Sequence, residues 1–135
     1  MEEKIHEKTE NIIIDLINQD AGGRLIIFKP DKSDKDLAIE KRGNYKKPLI
    51  FLKIYVQDAL LKNENFIKNA PTDNLSKEGN FYLIFAYFDI VRQDIEDSIW
   101  LIPSVDFVGG KDSDFSRFLI SKKDIGKFLL KKLGK

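Results

Sequence analysis

The chain contains no cysteine, one histidine, one methionine, one tryptophan and four prolines in 135 residues. Without a thiol there is no disulfide framework, no thiolate metal site and no cysteine nucleophile. A single imidazole, His6, excludes a centre built from several histidines. Any bound ion then has to be held mainly by carboxylate and carbonyl oxygens, which suit magnesium, manganese or calcium. Long apolar runs are missing as well: FYLIFAYF and LIIF fall far short of the ~20 residues that a membrane-crossing helix needs. The opening MEEKIHEKTE has neither an apolar stretch nor a small-residue cleavage site. These absences lead us to expect a soluble cytoplasmic protein with no membrane partner. Charge of one sign is not in excess either. The 23 basic and 22 acidic side chains leave a formal charge of +1, so attraction to nucleic acid can arise only from a local patch.

What the chain does have is enough apolar material, 42% of residues against 33% charged, for one core and therefore one domain over 1–135. From Glu3 to Asp20, Ile5, Ile12, Ile13, Leu16 and Ile17 recur at helical spacing among charged residues, and Gly22-Gly23 stops the helix. Strands are expected over Arg24 to Lys29 and, after the polar loop PDKSDK, over Asp36 to Arg42. In the second of these, Leu37 and Ile39 share one face and Asp36, Ala38 and Glu40 the other. After the turn GNYKKP, LIFLKIYVQ (Leu49 to Gln57) is apolar up to Val56 except for Lys53, which suits a central strand covered on both sides. A weak helical pattern runs from Asp58 to Ala70, before Pro71. Two further strands follow, Phe81 to Asp89 and Ile99 to Val105, joined by the charged stretch RQDIED, with Pro103 marking a strand end or edge. Ser121, with Asp124 three residues on, caps a last helix whose Ile125, Phe128, Leu129 and Leu133 share a face. The expected fold is α/β, of the α+β kind: a mixed central sheet of about five strands flanked by helices.

A leading helix, a strand, a strand opening with Asp36, a turn and a lysine-bearing strand together resemble the PD-(D/E)xK superfamily, the restriction-endonuclease-like nucleases. In that superfamily an aspartate at the start of one strand and a (D/E)xK triplet on the next hold a divalent metal and position a water. The matching residues here are Asp36 and the triplet Phe51, Leu52, Lys53; the triplet's acid is a phenylalanine. The resemblance implies Asp36 and Lys53 as the catalytic pair. It implies a Mg2+ or Mn2+ ion held by Asp36, the Leu52 backbone carbonyl and Glu10 on the leading helix. The metal would lower the pKa of its water while the lysine stabilises the charge developing on phosphate. With one carboxylate absent, the expectation is a nuclease-like domain that binds DNA or RNA and whose cleavage is weak or lost.

Each of these residues also has a plainer reading. Asp36, like Asp31 and Asp34, sits by a lysine-rich loop where solvated acids are common, and this acidic loop lacks the glycine and bidentate glutamate of an EF-hand. Lys53 is costly to bury unless paired or functional, yet an edge-strand lysine that reaches to water is as simple. Glu40 pairs readily with a neighbouring cation. His6 reads as a surface histidine, and Gly22-Gly23 lacks the pattern of a phosphate-binding loop. The run Phe81, Tyr82, Phe85, Tyr87, Phe88 suits core packing better than base stacking. Lys122, Lys123, Lys127, Lys131 and Lys132 suit a solvated helix face better than a phosphate contact. The alternative function is therefore a non-enzymatic interaction module without a metal, whose partner is another protein or a second copy of the chain.

Overall fold

A computed structural model of the chain describes residues 2–30, 36–42, 49–62, 66–67, 70, 79–109 and 115–133. Helix α1 spans Glu2–Ala21. Ile5, Thr9, Ile13, Ile17 and Ala21, one every four residues, are its buried stripe. Gly22 and Gly23 end it with φ of 61° and 81°, a conformation that costs other residues energy and glycine almost none. Strands β1 (Leu25–Phe28), β2 (Leu37–Lys41) and β3 (Ile50–Asp58) form an antiparallel meander with Phe28 opposite Ala38 and Leu37 opposite Leu52. Next to β3, β4 (Phe81–Asp89) runs parallel, with Phe51 paired to Phe81 and Asp58 to Phe88. Strands β5 (Asp94–Ile95) and β6 (Ser98–Pro103) both pair antiparallel with β4, and β7 (Leu119–Ser121) closes the far edge against β6. The sheet order is β1-β2-β3-β4-β6-β7, with β5 beside the end of β4. Helices α2 (Ser104–Gly109) and α3 (Ile125–Leu133) are the other α-helices of the described residues. The fold is α+β with a mixed sheet. No helix of the described residues is long and apolar enough to cross a membrane.

Strand alternation divides the core in two. Leu37, Ile39, Leu52, Ile54, Ile84 and Leu101 face one side, where they pack with Ile13 and Ile17 of α1 and Ile125 and Leu129 of α3. Phe81, Leu83, Phe85 and Ile102 face the other, with Phe107 of α2 and half-buried Tyr55 and Trp100. FYLIFAYF is apolar throughout because both of its faces are covered. The two helices on the first face meet closely. A Cβ at Gly126 would lie 2.6 Å from Asp20 Cβ and 2.9 Å from the Ile17 carbonyl, so only glycine permits this approach. Asp20 also accepts the Lys127 backbone N–H at the start of α3, satisfying a donor that has no partner within the helix.

Three expectations need correction. In place of a helix from Asp58 to Ala70, a 3-10 turn occupies Ala59–Leu61, capped by the Asp58 carboxylate, which accepts from Leu60 N–H at 2.9 Å; residues 63–65 and 68–69 lie outside the described set. An acid at that position offers the backbone a side-chain acceptor, and the turn stops after three residues. Val105 belongs to α2, since β6 ends at Pro103. The stretch RQDIED contains β5, and β7 lies where the sequence shows only the approach to a helix. Both are too short to carry a readable alternation. Ser121 does cap, accepting from Lys123 N–H at 3.4 Å, but it opens a 3-10 turn that leads into α3.

Candidate metal centre

His6 and Glu10 are four residues apart on α1 and so project from the same flank of the helix. That flank overhangs the rim of the sheet where β2 begins beside the middle of β3. Asp36 is the residue just before β2, and there the ladder is irregular. Its N–H donates to the Leu52 carbonyl at 2.8 Å, and its carboxylate accepts from the Ile54 N–H at 2.6 Å, in place of a backbone partner. Strict alternation would put Asp36 opposite Leu37, on the aromatic side. Because the strand has not yet begun at Asp36, its side chain turns to the helix side instead.

There it meets the helix pair. His6 Nε2 lies 3.1 Å from the Ile54 carbonyl and 3.5 Å from Asp36 Oδ2, and His6 Nδ1 is 3.9 Å from Glu10 Oε2. One ligand atom from each of His6, Glu10 and Asp36 falls within 4.8 Å of the others. Glu10 is buried and the other two are half-buried. Lys29, directly after β1, places Nζ 2.7 Å from Glu10 Oε1. The hydrogen bond to Asp36 is the largest influence on His6 and raises its pKa against the opposing effect of burial; the Asp36 charge, the Ile54 carbonyl and Glu10 add to the rise. Glu10 likewise raises the pKa of Lys29. In this arrangement the cluster holds two carboxylates and two groups that favour their protonated, cationic forms.

Of the residues singled out from the sequence, Asp36 and Glu10 are brought together. The Leu52 carbonyl is engaged by the Asp36 N–H, and the carbonyl that faces the cluster is that of Ile54. Phe51 and Tyr55 belong to the aromatic side. Lys53 lies between them in the alternation, with Nζ 5.7 Å from the Tyr55 ring centroid, a distance at which a cation is attracted to the ring face. Asp36 and Lys53 are thus on neighbouring strands but direct their functional groups to opposite faces. Glu40, half-buried near the end of β2, pairs across the ladder with Ile26 of β1. Asp31 and Asp34 lie outside the described residues.

His6 is the member that sequence reasoning passed over as a surface residue. The available signal was its spacing of four from Glu10 on an amphipathic helix. The fit to a divalent ion is chemically sound, since one imidazole nitrogen and two carboxylate oxygens are a mixed donor set found around manganese, iron and zinc. Lys29 holds Glu10 Oε1 and leaves Oε2 toward His6, so an ion would share the Glu10 charge with Lys29 and would have to displace the proton from one ring nitrogen of His6. Comparison with family models, with curated proteins and with solved structures returns no match to this chain.

Proposed function

We propose that this domain is a restriction-endonuclease-like protein that no longer cleaves, keeps a divalent-metal site at His6, Glu10 and Asp36, and uses it to bind nucleic acid. The observation that carries the reading is the meeting of Glu10, from the leading helix, with Asp36, at the opening of the second strand. A leading helix followed by three antiparallel strands supports it as well. The loss of cleavage follows from the positions of Phe51 and Lys53. Metal, attacking water and charge-stabilising ammonium have to meet at one phosphate, and here the ammonium lies across the sheet from the carboxylates. His6, Glu10 and Asp36 would hold the ion, and the imidazole nitrogen favours manganese over magnesium, which prefers an all-oxygen shell. When bound, such an ion supplies positive charge to phosphate oxygens.

Calorimetric titration with Mn2+, paired with anisotropy of a labelled duplex in Mn2+ and in EDTA, tests this reading. The expected result is Mn2+ binding that Asp36→Ala abolishes, duplex binding that strengthens with Mn2+, and an uncut duplex. Absence of Mn2+ binding overturns the proposal. Cleavage that Asp36→Ala removes overturns its non-catalytic part.

A second reading, an interaction module with no metal, is favoured by the Lys29 contact. Lys29 and protonated His6 balance Glu10 and Asp36 charge for charge, so the cluster can stand as an ionic clamp between α1 and the sheet. On that reading Asp36→Ala lowers stability, and Mn2+ makes no difference to either protein.

A further inference from the structure

We propose that the outer edge of β7, unpaired among the described strands, together with the groove between β7 and α3, docks an acidic peptide that adds to the sheet as an extended strand. This surface is separate from the metal centre, since β7 and β1 are the two outer strands of the sheet.

The backbone is the first reason. Ile120 pairs with Ile99, and the Lys122 N–H donates to the Asp97 carbonyl at 2.8 Å. In an antiparallel ladder the bonded residues alternate, so Ile120 and Lys122 turn their polar groups toward β6 while Leu119 and Ser121 turn theirs outward. The Leu119 N–H is taken by the Ser116 carbonyl. The Leu119 carbonyl and the Ser121 N–H are left pointing to the open side, without partners among the described residues. An acceptor and a donor two residues apart match the N–H and C=O of one residue in a strand added parallel to β7.

Beside this edge lies an open groove of about 620 Å³ lined by Leu119, Ile120, Ser121, Asp124, Lys127, Phe128 and Lys131. Ile120 and Phe128 give the groove an apolar floor on the helix side, while Leu119, 43% exposed and opposite Trp100, offers apolar surface on the other face, so alternate side chains of an added strand meet apolar groups on both sides. Lys127 and Lys131 are exposed on the same lining. The Lys127 side chain is 72% exposed and its Nζ lies 4.0 Å from Asp20 Oδ1, so its pairing is loose. Lys123 and Arg117 are exposed close by in the chain. Asp124 is the single acid on the lining.

The charges select the occupant. Antiparallel pairing of β7 with a second copy would set these cations against their own counterparts, which is unfavourable. Nucleic acid would satisfy the lysines, but its phosphate backbone has no donor for the Leu119 carbonyl and no use for the apolar floor. An extended peptide with acidic residues alternating with apolar ones meets all three features.

The test uses a fluorescein-labelled alternating Glu-Val octapeptide, its Lys-Val counterpart and an oligothymidylate of equal charge, with the full chain and two variants. Ser121→Pro deletes the outward N–H at a residue whose φ of −72° and ψ of 135° suit proline, and its neighbour Ile120 is extended as proline requires. Lys127→Glu with Lys131→Glu reverses the rim. The expected result is saturable binding of the Glu-Val peptide, weakened at least about tenfold by each variant, with none to the Lys-Val peptide. If Ser121→Pro proves unfolded by circular dichroism, the charge-reversal pair decides. No saturation below about 1 mM peptide overturns the proposal, as does undiminished binding by the charge-reversal pair. Equal competition by oligothymidylate assigns the surface to nucleic acid instead. A dimer seen by sedimentation in the parent chain and lost in Ser121→Pro assigns it to a second copy.

Discussion

The two faces of the sheet are filled by different kinds of side chain, and the elements that cover them explain why. Under α1 and α3 the core is mainly aliphatic, isoleucine and leucine with only Tyr82 and Phe88 as buried rings, because two helices of 20 and 9 residues bring continuous apolar stripes down onto it. On the opposite face the described cover is a six-residue helix and short turns, and aromatic rings do the filling. Tyr55 stacks on Phe85 at 4.7 Å, Phe85 on Phe107 at 5.7 Å and Phe107 on Phe115 at 5.6 Å, while Phe66 meets Phe85 edge-on at 5.5 Å. A ring buries more area per residue than an aliphatic side chain, so a few residues can close a face that lacks a long helix. The same division separates the polar groups: Lys53 belongs to the aromatic face, and His6, Glu10 and Asp36 to the rim of the aliphatic one.

The largest effect is expected where the aromatic face depends on one ring. Phe85→Ala removes a fully buried side chain from three ring contacts and should cost about 3–5 kcal/mol in urea unfolding, against about 0.5–1.5 kcal/mol for Ile84→Val on the other face of the same strand. Equal losses would show that the aromatic face is not built around Phe85. Phe51→Glu is next. It desolvates a carboxyl group and removes half-buried packing, for a loss of about 2–3 kcal/mol. The new carboxylate is on the face away from Asp36, so Mn2+ affinity by calorimetry should equal that of the parent chain. Tighter Mn2+ binding would place Phe51 and Asp36 on one side and undo the division.

The smallest effect concerns His6. Its pKa is raised in the folded protein, first by the hydrogen bond to Asp36, so protonation favours the folded state. The contribution is full below the ordinary imidazole value and is lost as pH rises through the raised one. In EDTA, the parent chain should therefore exceed His6→Gln in stability at low pH by about 1 kcal/mol at most, given partial exposure to solvent, and the gap should close toward alkaline pH. A gap that stays constant with pH would remove the charged contact between α1 and the rim.

Much of the frame was legible residue by residue. The i, i+4 stripe of α1, the apolar run of β3 around Lys53 and the unbroken one of β4 mark their elements within a residue or two. Ser121 and the apolar face of α3 mark the last helix. Short pieces were not legible: β5 has two residues and β7 three, fewer than one cycle of alternation needs to stand out from chance. The site was half legible, since Glu10 and Asp36 read as ligands while His6 read as a surface residue.

Periodicity, glycine placement and composition were sufficient to determine that this chain forms helices on a mixed sheet with one imidazole and no thiol at its disposal. Only the tertiary structure decided which polar groups meet. Alternation assigns a face to a residue inside a strand, and Asp36 lies one residue outside β2, where its N–H bonds to Leu52 and its carboxylate swings to Ile54 and His6. That single step at a strand end puts the aspartate on the helix side and leaves Lys53 on the other, because a sheet in which side-chain direction reverses at every residue turns a shift of one position into a change of face.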